Sequence, residues 1–207
     1  AAKLALNARN AGADAVLSVT PYYNKTTQTG LLRHYYTVAD SADLPMLLYN
    51  VPSRTGMTVT AETYSALAQH PNIYGVKEAS GDFGLILKTR KMCPEDFALY
   101  SGNDDQIIPI LALGGQGVIS TMANVIPAQT HEICALWKAG EIGKASELQI
   151  LCQPLIQALF REVNPIPVKA AMAMLGRDSG YTRQPLTEIG TAARAELREA
   201  MVALELL

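Results

Sequence analysis

The sequence predicts an α/β fold in which parallel strands are joined by crossover helices, and three observations carry that prediction. Between residues 15 and 138, short apolar and β-branched runs alternate with amphipathic stretches long enough to be helices. Cap and breaker residues stand where those helices should begin and end. Polar and aromatic residues gather just past the apolar runs, where the strand-to-helix loops of parallel architectures carry their functional groups.

The elements follow in order. The opening AAKLALNARNAG reads as a short helix ending at Gly12. AVLSVT (15–20) is the first strand, and a helical stretch runs from about Thr26 to Ala39. PMLLYNV (45–51) is the second strand and TAETYSALAQH (60–70) its helix. IYGVKEA (73–79) precedes the helix DFGLILKTRKM (82–92), and FALYSG (97–102) precedes DDQIIPILAL (104–113). GVIST (117–121) is the last strand, followed by a helix from near Pro127 to Lys138. Thr60, Asp82 and Asp104 stand as N-caps. His70-Pro71, Cys93-Pro94 and Gly114-Gly115 stand as stops. From Gly140 onward only helical segments appear: GKASELQILCQPLIQALF, PVKAAMAMLG and TEIGTAARAELREAMVALELL. Five strand–helix units fit either an open sheet or an incomplete barrel, since a closed barrel wants eight.

Composition bounds what such a chain can do. Its 207 residues are 49% hydrophobic and 17% charged, the balance of a folded domain with a sizeable core. A net charge of −2 supplies no basic field for a phosphate backbone, which argues against nucleic acid. No apolar run approaches the roughly 20 residues that span a bilayer. The first residues lack the order of a signal peptide and have no initiating Met, so processing or truncation at the front is an expectation. Cys93, Cys134 and Cys152 are scattered and without C-x-x-C spacing, which points away from disulfides and zinc and toward a reducing cytosol. His34, His70 and His131 form no ligand motif, so no metal is expected.

The strand ends hold the chemistry. Tyr23, Tyr49 and Lys77 are separated by 26 and 28 residues, about one unit each, so they should face one pocket. Lys77, at the end of an apolar strand, is the candidate nucleophile: an amine attacks a carbonyl only when neutral, and a dry setting favours that form. The alternative is a lysine that snorkels to solvent. Glu78 need not cancel the effect, because neighbouring strand residues point to opposite faces. Tyr49 can move a proton at a carbonyl centre, or can be an ordinary core tyrosine with a satisfied hydroxyl. Tyr22 and Tyr23 are adjacent, so at most one reaches the pocket. Arg54 lies in a loop stiffened by Pro52 and opened by Gly56, where a guanidinium suits a substrate carboxylate or simply faces solvent. LGGQG (113–117) ends a helix and enters a strand, the reverse of a phosphate loop. QALF with nearby Met172 and Met174 reads as helix packing rather than a cofactor box.

Taken together, VTPYYN, LLYNVPSRTG, GVKEASG, SGND, GVIS and NPIPVK (164–169) resemble the motifs of the dihydrodipicolinate synthase family, also called 4-hydroxy-tetrahydrodipicolinate synthases, among the class I pyruvate-dependent aldolases. The likeness runs through essentially the whole chain in order and spacing. It implies a (β/α)8 TIM barrel with C-terminal helices, of which residues 1–139 would be the last five units and 140–207 the helical region. It also implies a cytoplasmic homotetramer, or at least a dimer, and a lyase of the diaminopimelate route to lysine. Its substrates would be pyruvate and L-aspartate 4-semialdehyde, with no metal or organic cofactor. Residue by residue, Lys77 would form the Schiff base with pyruvate and Tyr49 would shuttle protons there. Tyr23 would join the proton relay, reaching across a subunit interface. Arg54 would hold the carboxylate of the semialdehyde, Ile119 would contact pyruvate, and Tyr22 would match a position at the allosteric lysine pocket. The family carries three earlier units with a GTTGE-type loop. Here the chain is expected to start inside the third helix and to lack that loop. The rivals are a sister aldolase, such as an N-acetylneuraminate lyase or a 2-keto-3-deoxy sugar acid aldolase, and a non-catalytic homologue.

Overall fold

The computed structural model describes residues 1–207, which divide into two compact units. The first comprises residues 1–103 and 109–119, and the second 104–108 and 120–207.

The first unit opens with α1 (Ala2–Asn10), β1 (Val16–Val19), α2 (Gln28–Ala42) and β2 (Met46–Asn50). A one-turn helix α3 (Pro52–Thr55) comes next, then α4 (Ala61–Leu67), β3 (Ile73–Glu78), α5 (Phe83–Met92) and β4 (Ala98–Ser101). After α6 (Ile107–Ala112) comes β5 (Gly117–Val118). The strands form one parallel sheet in the order β1-β2-β3-β4-β5, leaving β1 and β5 as its edges. This is the strand–helix alternation expected from the sequence.

Caps explain several boundaries. The hydroxyl of Thr60 accepts from the Thr63 amide at 3.3 Å, and a carboxylate oxygen of Asp82 accepts from Leu85 N at 3.0 Å. Asp104 does something different from the capping expected of it. It is buried, and its Oδ2 accepts from the backbone of Thr121 and Met122 at 3.1 and 2.9 Å within the second unit. The segment around it divides into a 3-10 turn (Asp104–Gln106) and α6 rather than one helix. β5 ends at Val118, three residues short of the expected strand.

One face of the sheet carries the core. Met46, Leu48, Val76 and Leu99 point toward Leu31, Tyr35 and Val38 of α2, Tyr64 and Leu67 of α4 and Ile86 of α5. Replacing the fully buried Leu48 by alanine is expected to lower unfolding free energy by about 2–5 kcal/mol, read from urea denaturation followed by circular dichroism. The opposite face presents the alternate residues, with Val19, Tyr49, Lys77, Tyr100 and Gly117 in one register row. That alternation is set by an irregularity: Met46 pairs with Ile73 but Leu47 pairs with Gly75, so Tyr74 is an extra residue in β3. Gly75 lies so close to β4 that a Cβ there would run into the Ala98 carbonyl.

The second unit is helical. It contains α7 (Pro127–Lys138), α8 (Ile142–Leu159), α9 (Ile166–Met174) and α10 (Thr191–Ala203). Its interior is built from Ile133, Cys152, Leu155, Leu159, Ala171, Leu197 and Met201. Gln149 of α8 holds the 3-10 turn, donating to Asp105 O at 2.8 Å and accepting from Ile108 N at 3.0 Å.

Candidate active site

β2 and β3 run side by side to their C-terminal ends with Tyr49 opposite Lys77 and Asn50 opposite Glu78. Because successive strand residues face opposite ways, the first pair sits on the open face and the second on the helix-covered face. The Lys77 Nζ lies 4.4 Å from the centre of the Tyr49 ring. An ammonium or iminium nitrogen held there is attracted by the ring's negative face. Both side chains are half-buried. Burial pushes the Tyr49 phenol above its ordinary pKa, while the nearby positive charge of Arg54 pulls it back. At neutral pH the phenol is therefore protonated and available as a donor.

Arg54 is on α3, not on the loop that its proline and glycine suggest. Pro52 supplies a helical φ at the first turn, and Gly56 closes the turn in the left-handed region at φ 64°. Four residues are too few for a helical period to be visible, which is why the turn escapes sequence inspection. A buried hydroxyl pair secures it: Thr20, just past β1, donates to Thr55 Oγ1 at 3.0 Å. The Arg54 side chain itself is exposed.

Ile119 follows β5, and its amide donates to Ser101 O at 2.9 Å, which sets it at the end of the same sheet. Tyr22 and Tyr23 lie past β1 and are 68% and 92% exposed. Tyr23 has φ 63°, a left-handed conformation that a tyrosine rarely adopts. Tyr22 lines a cavity of about 600 Å³ along β1, together with His34 and Val38. The structure thus brings Lys77 and Tyr49 into contact, puts Arg54 within electrostatic reach of Tyr49, and leaves Tyr22 and Tyr23 on the surface.

Two residues at this site carry more than inspection of the sequence assigns them. A Cβ on Gly102 would lie 3.1 Å from Lys77 Cε and 2.7 Å from Ala79 Cβ, so only glycine leaves the lysine stem its room. The quoted SGND motif contains this glycine, but nothing in its spacing points to Lys77. Glu78 is 3% exposed and is the acceptor at the centre of a hydrogen-bonded cluster behind the lysine.

Other chemistries find less support. No group of three or more His, Cys, Asp or Glu side chains could hold a metal ion. Burial pushes the Cys93 thiol up to about 11, which leaves almost no thiolate at neutral pH. Gly114, at φ 80°, closes α6 ahead of β5, so LGGQG is a helix-ending turn. No helix is long and apolar enough to cross a membrane.

Comparison with known proteins bears on the same site. A family model described as the dihydrodipicolinate synthetase family matches residues 1–204. The chain is 51% identical over 199 residues to a 4-hydroxy-tetrahydrodipicolinate synthase from Caldicellulosiruptor bescii, covering 96% of this chain and 67% of that protein. The corresponding enzyme of Clostridium perfringens is 45% identical over 201 residues, covering 97% and 69%. Among solved structures, a dihydrodipicolinate synthase from Cyanidioschyzon merolae with lysine bound superposes with a TM-score of 0.96 at 42% identity, covering all of this chain and 70% of that one. The enzyme from Thermotoga maritima gives 0.97 at 41%, with coverage of 100% and 71%. The chain spans about two thirds of the length of these relatives.

Proposed function

The chain belongs to the dihydrodipicolinate synthetase family, and from that premise we propose that it condenses pyruvate with L-aspartate 4-semialdehyde through a Schiff base on Lys77. The observation that carries the reading is the Lys77 amine set 4.4 Å over the Tyr49 ring at the C-terminal end of a parallel sheet. That is the end at which such folds gather catalytic groups.

In the proposed sequence the neutral Lys77 amine attacks C2 of pyruvate, and the resulting carbinolamine loses water to give an iminium. The Tyr49 phenol donates the proton that lets hydroxide leave as water, and its phenolate takes a proton back. The iminium charge stays over the tyrosine ring, so the face that attracts the resting ammonium also favours the intermediate. Loss of a C3 proton gives the enamine, which adds to the aldehyde carbon of the semialdehyde. The amine of that substrate then attacks C2 and displaces Lys77, closing the ring of 4-hydroxy-tetrahydrodipicolinate and freeing the enzyme.

Arg54 is the proposed anchor for the semialdehyde carboxylate. Its support is a short rigid helix that carries an exposed guanidinium within electrostatic reach of Tyr49. Replacing Arg54 by alanine is expected to raise KM for the semialdehyde about tenfold or more while pyruvate still forms the imine at its normal rate. Steady-state kinetics against both substrates checks it; an unchanged KM removes Arg54 from the site. Ile119 is proposed to contact pyruvate. Tyr23 is proposed to act in the proton relay across a subunit interface, for which its exposed, outward conformation is the support. Tyr22 is proposed to belong to a lysine-binding regulatory pocket. Homo-oligomeric assembly belongs to the same proposal. So does residence in the cytoplasm, supported by three free cysteines.

Borohydride reduction in the presence of pyruvate tests the central step. A reduced adduct mapped by mass spectrometry to Lys77 supports the reading, and no adduct in the full natural polypeptide overturns it. Turnover with the semialdehyde, set against the aldehydes of sugar-acid aldolases, then fixes the second substrate.

A further inference from the structure

Immediately behind the lysine and tyrosine, on the other face of the sheet, the next two residues of β2 and β3 are joined by side chains. Asn50 Nδ2 donates to both carboxylate oxygens of Glu78, at 3.0 and 3.1 Å. The Tyr64 hydroxyl donates to Oε2 at 3.0 Å and the Ser80 amide to Oε1 at 2.7 Å. The orientation of the Asn50 amide is fixed independently, because its Oδ1 accepts from Val59 N at 3.2 Å. Burial and the facing carboxylate push the Tyr64 phenol well above its ordinary pKa, so it remains a donor. Every group that reaches Glu78 thus donates, and only an acceptor fits among them.

Nothing in the proposed chemistry uses this buried acid, yet it sits where the sheet most needs support. β2 and β3 both end here, and their last rungs are backbone bonds from Ala79 N to Asn50 O at 2.9 Å and from Gly102 N to Glu78 O at 2.7 Å. Strand ends open most readily. The side-chain bonds of Glu78 close these ends laterally and tie them to α4 through Tyr64, while Asn50 ties them to the segment after α3 through Val59.

We propose that Glu78 is a positioning residue for the reacting pair: its carboxylate, gripped by Asn50, Tyr64 and Ser80, fixes the last rung of β2 and β3 and with it the seat of Lys77 over Tyr49. This rests on Lys77 being the imine-forming residue. The carboxylate never meets substrate; it acts through Lys77, its neighbour in β3, and through Asn50, which carries Tyr49 in β2.

The test uses the full natural polypeptide and single-turnover imine formation with pyruvate, quenched with borohydride. Glu78→Gln places a donor among donors and is expected to slow imine formation at saturating pyruvate about tenfold or more, with the half-saturating concentration moved less than about threefold. Pairing it with Asn50→Asp restores one acceptor–donor contact across the strands and should recover a substantial part of the lost rate. A Glu78→Gln rate within about twofold of normal overturns the proposal, as does a loss carried by weaker pyruvate binding, or a double variant no faster than the single. If Glu78→Gln does not fold, Tyr64→Phe decides, since it removes one bond and keeps the shape: about threefold slower supports the proposal, unchanged overturns it. An unsubstituted protein that forms no adduct at all would instead bring down the Schiff-base reading, and this one with it.

Discussion

Replacing Lys77 by methionine is expected to abolish the borohydride-trapped pyruvate adduct and to lower turnover by at least about 10⁴-fold. The reason is that no other group can supply the same reagent. The adjoining phenol of Tyr49 is held protonated, and the delocalised guanidinium that Arg54 carries offers no free amine lone pair for imine formation. Methionine matches the lysine stem in length and sits in the room that Gly102 leaves, so the fold should survive the change. Lys77→Arg sharpens the point, because it retains a cation near the Tyr49 ring and still cannot form an imine. Both variants are read by adduct mass and by steady-state turnover. An adduct that persists on a different lysine would remove Lys77 from the mechanism.

Replacing Tyr49 by phenylalanine is expected to lower kcat by about 10² or more while KM for pyruvate changes little. This substitution separates two roles of one side chain. The ring remains beneath the lysine nitrogen, so the attraction of a cation for its face is kept. Only the hydroxyl is lost, and with it the proton donor that helps hydroxide leave the carbinolamine. Imine formation should therefore become the slow step and should be partly restored at fixed pH by rising concentrations of a small buffer acid, which can substitute for the phenol without lowering the neutral fraction of the amine. Single-turnover trapping across a buffer-concentration series checks this. If Tyr49→Phe retained full kcat, Tyr49 would be a packing residue.

Much of the architecture was legible because its causes are local. Pro127 and Lys138 bound α7 as expected, since proline is preorganised for a first turn and the apolar period stops at the lysine. Thr60 and Asp82 mark helix starts by the same hydroxyl and carboxylate chemistry that made them recognisable. Asp104 looked identical to them by type and position. Its bonds, however, go to backbone 17 and 18 residues onward, a pairing no local window contains. Lys77 and Tyr49 could be matched by their spacing of about one unit, and the register confirms them as neighbours. Glu78 was recognised only as pointing away from the lysine. What that direction means, burial among four donated bonds, depends on Asn50, Tyr64 and Ser80 arriving from three separate segments. One signal was present: an acid in step with Val76, on the row that otherwise reads as core.

The bulge that holds Tyr74 out of step decides the parity of everything after it in β3. Were the strand to alternate strictly from Ile73 with Tyr74 in step, the lysine would fall on the oily side, beneath α4, and the glutamate would stand at the mouth where the keto acid is proposed to arrive. Chemistry at this sheet therefore depends on one residue being absorbed out of step: ironing the bulge flat with every residue kept would exchange reagent for ballast, whereas a lineage that deleted Tyr74 would leave the pair as it is.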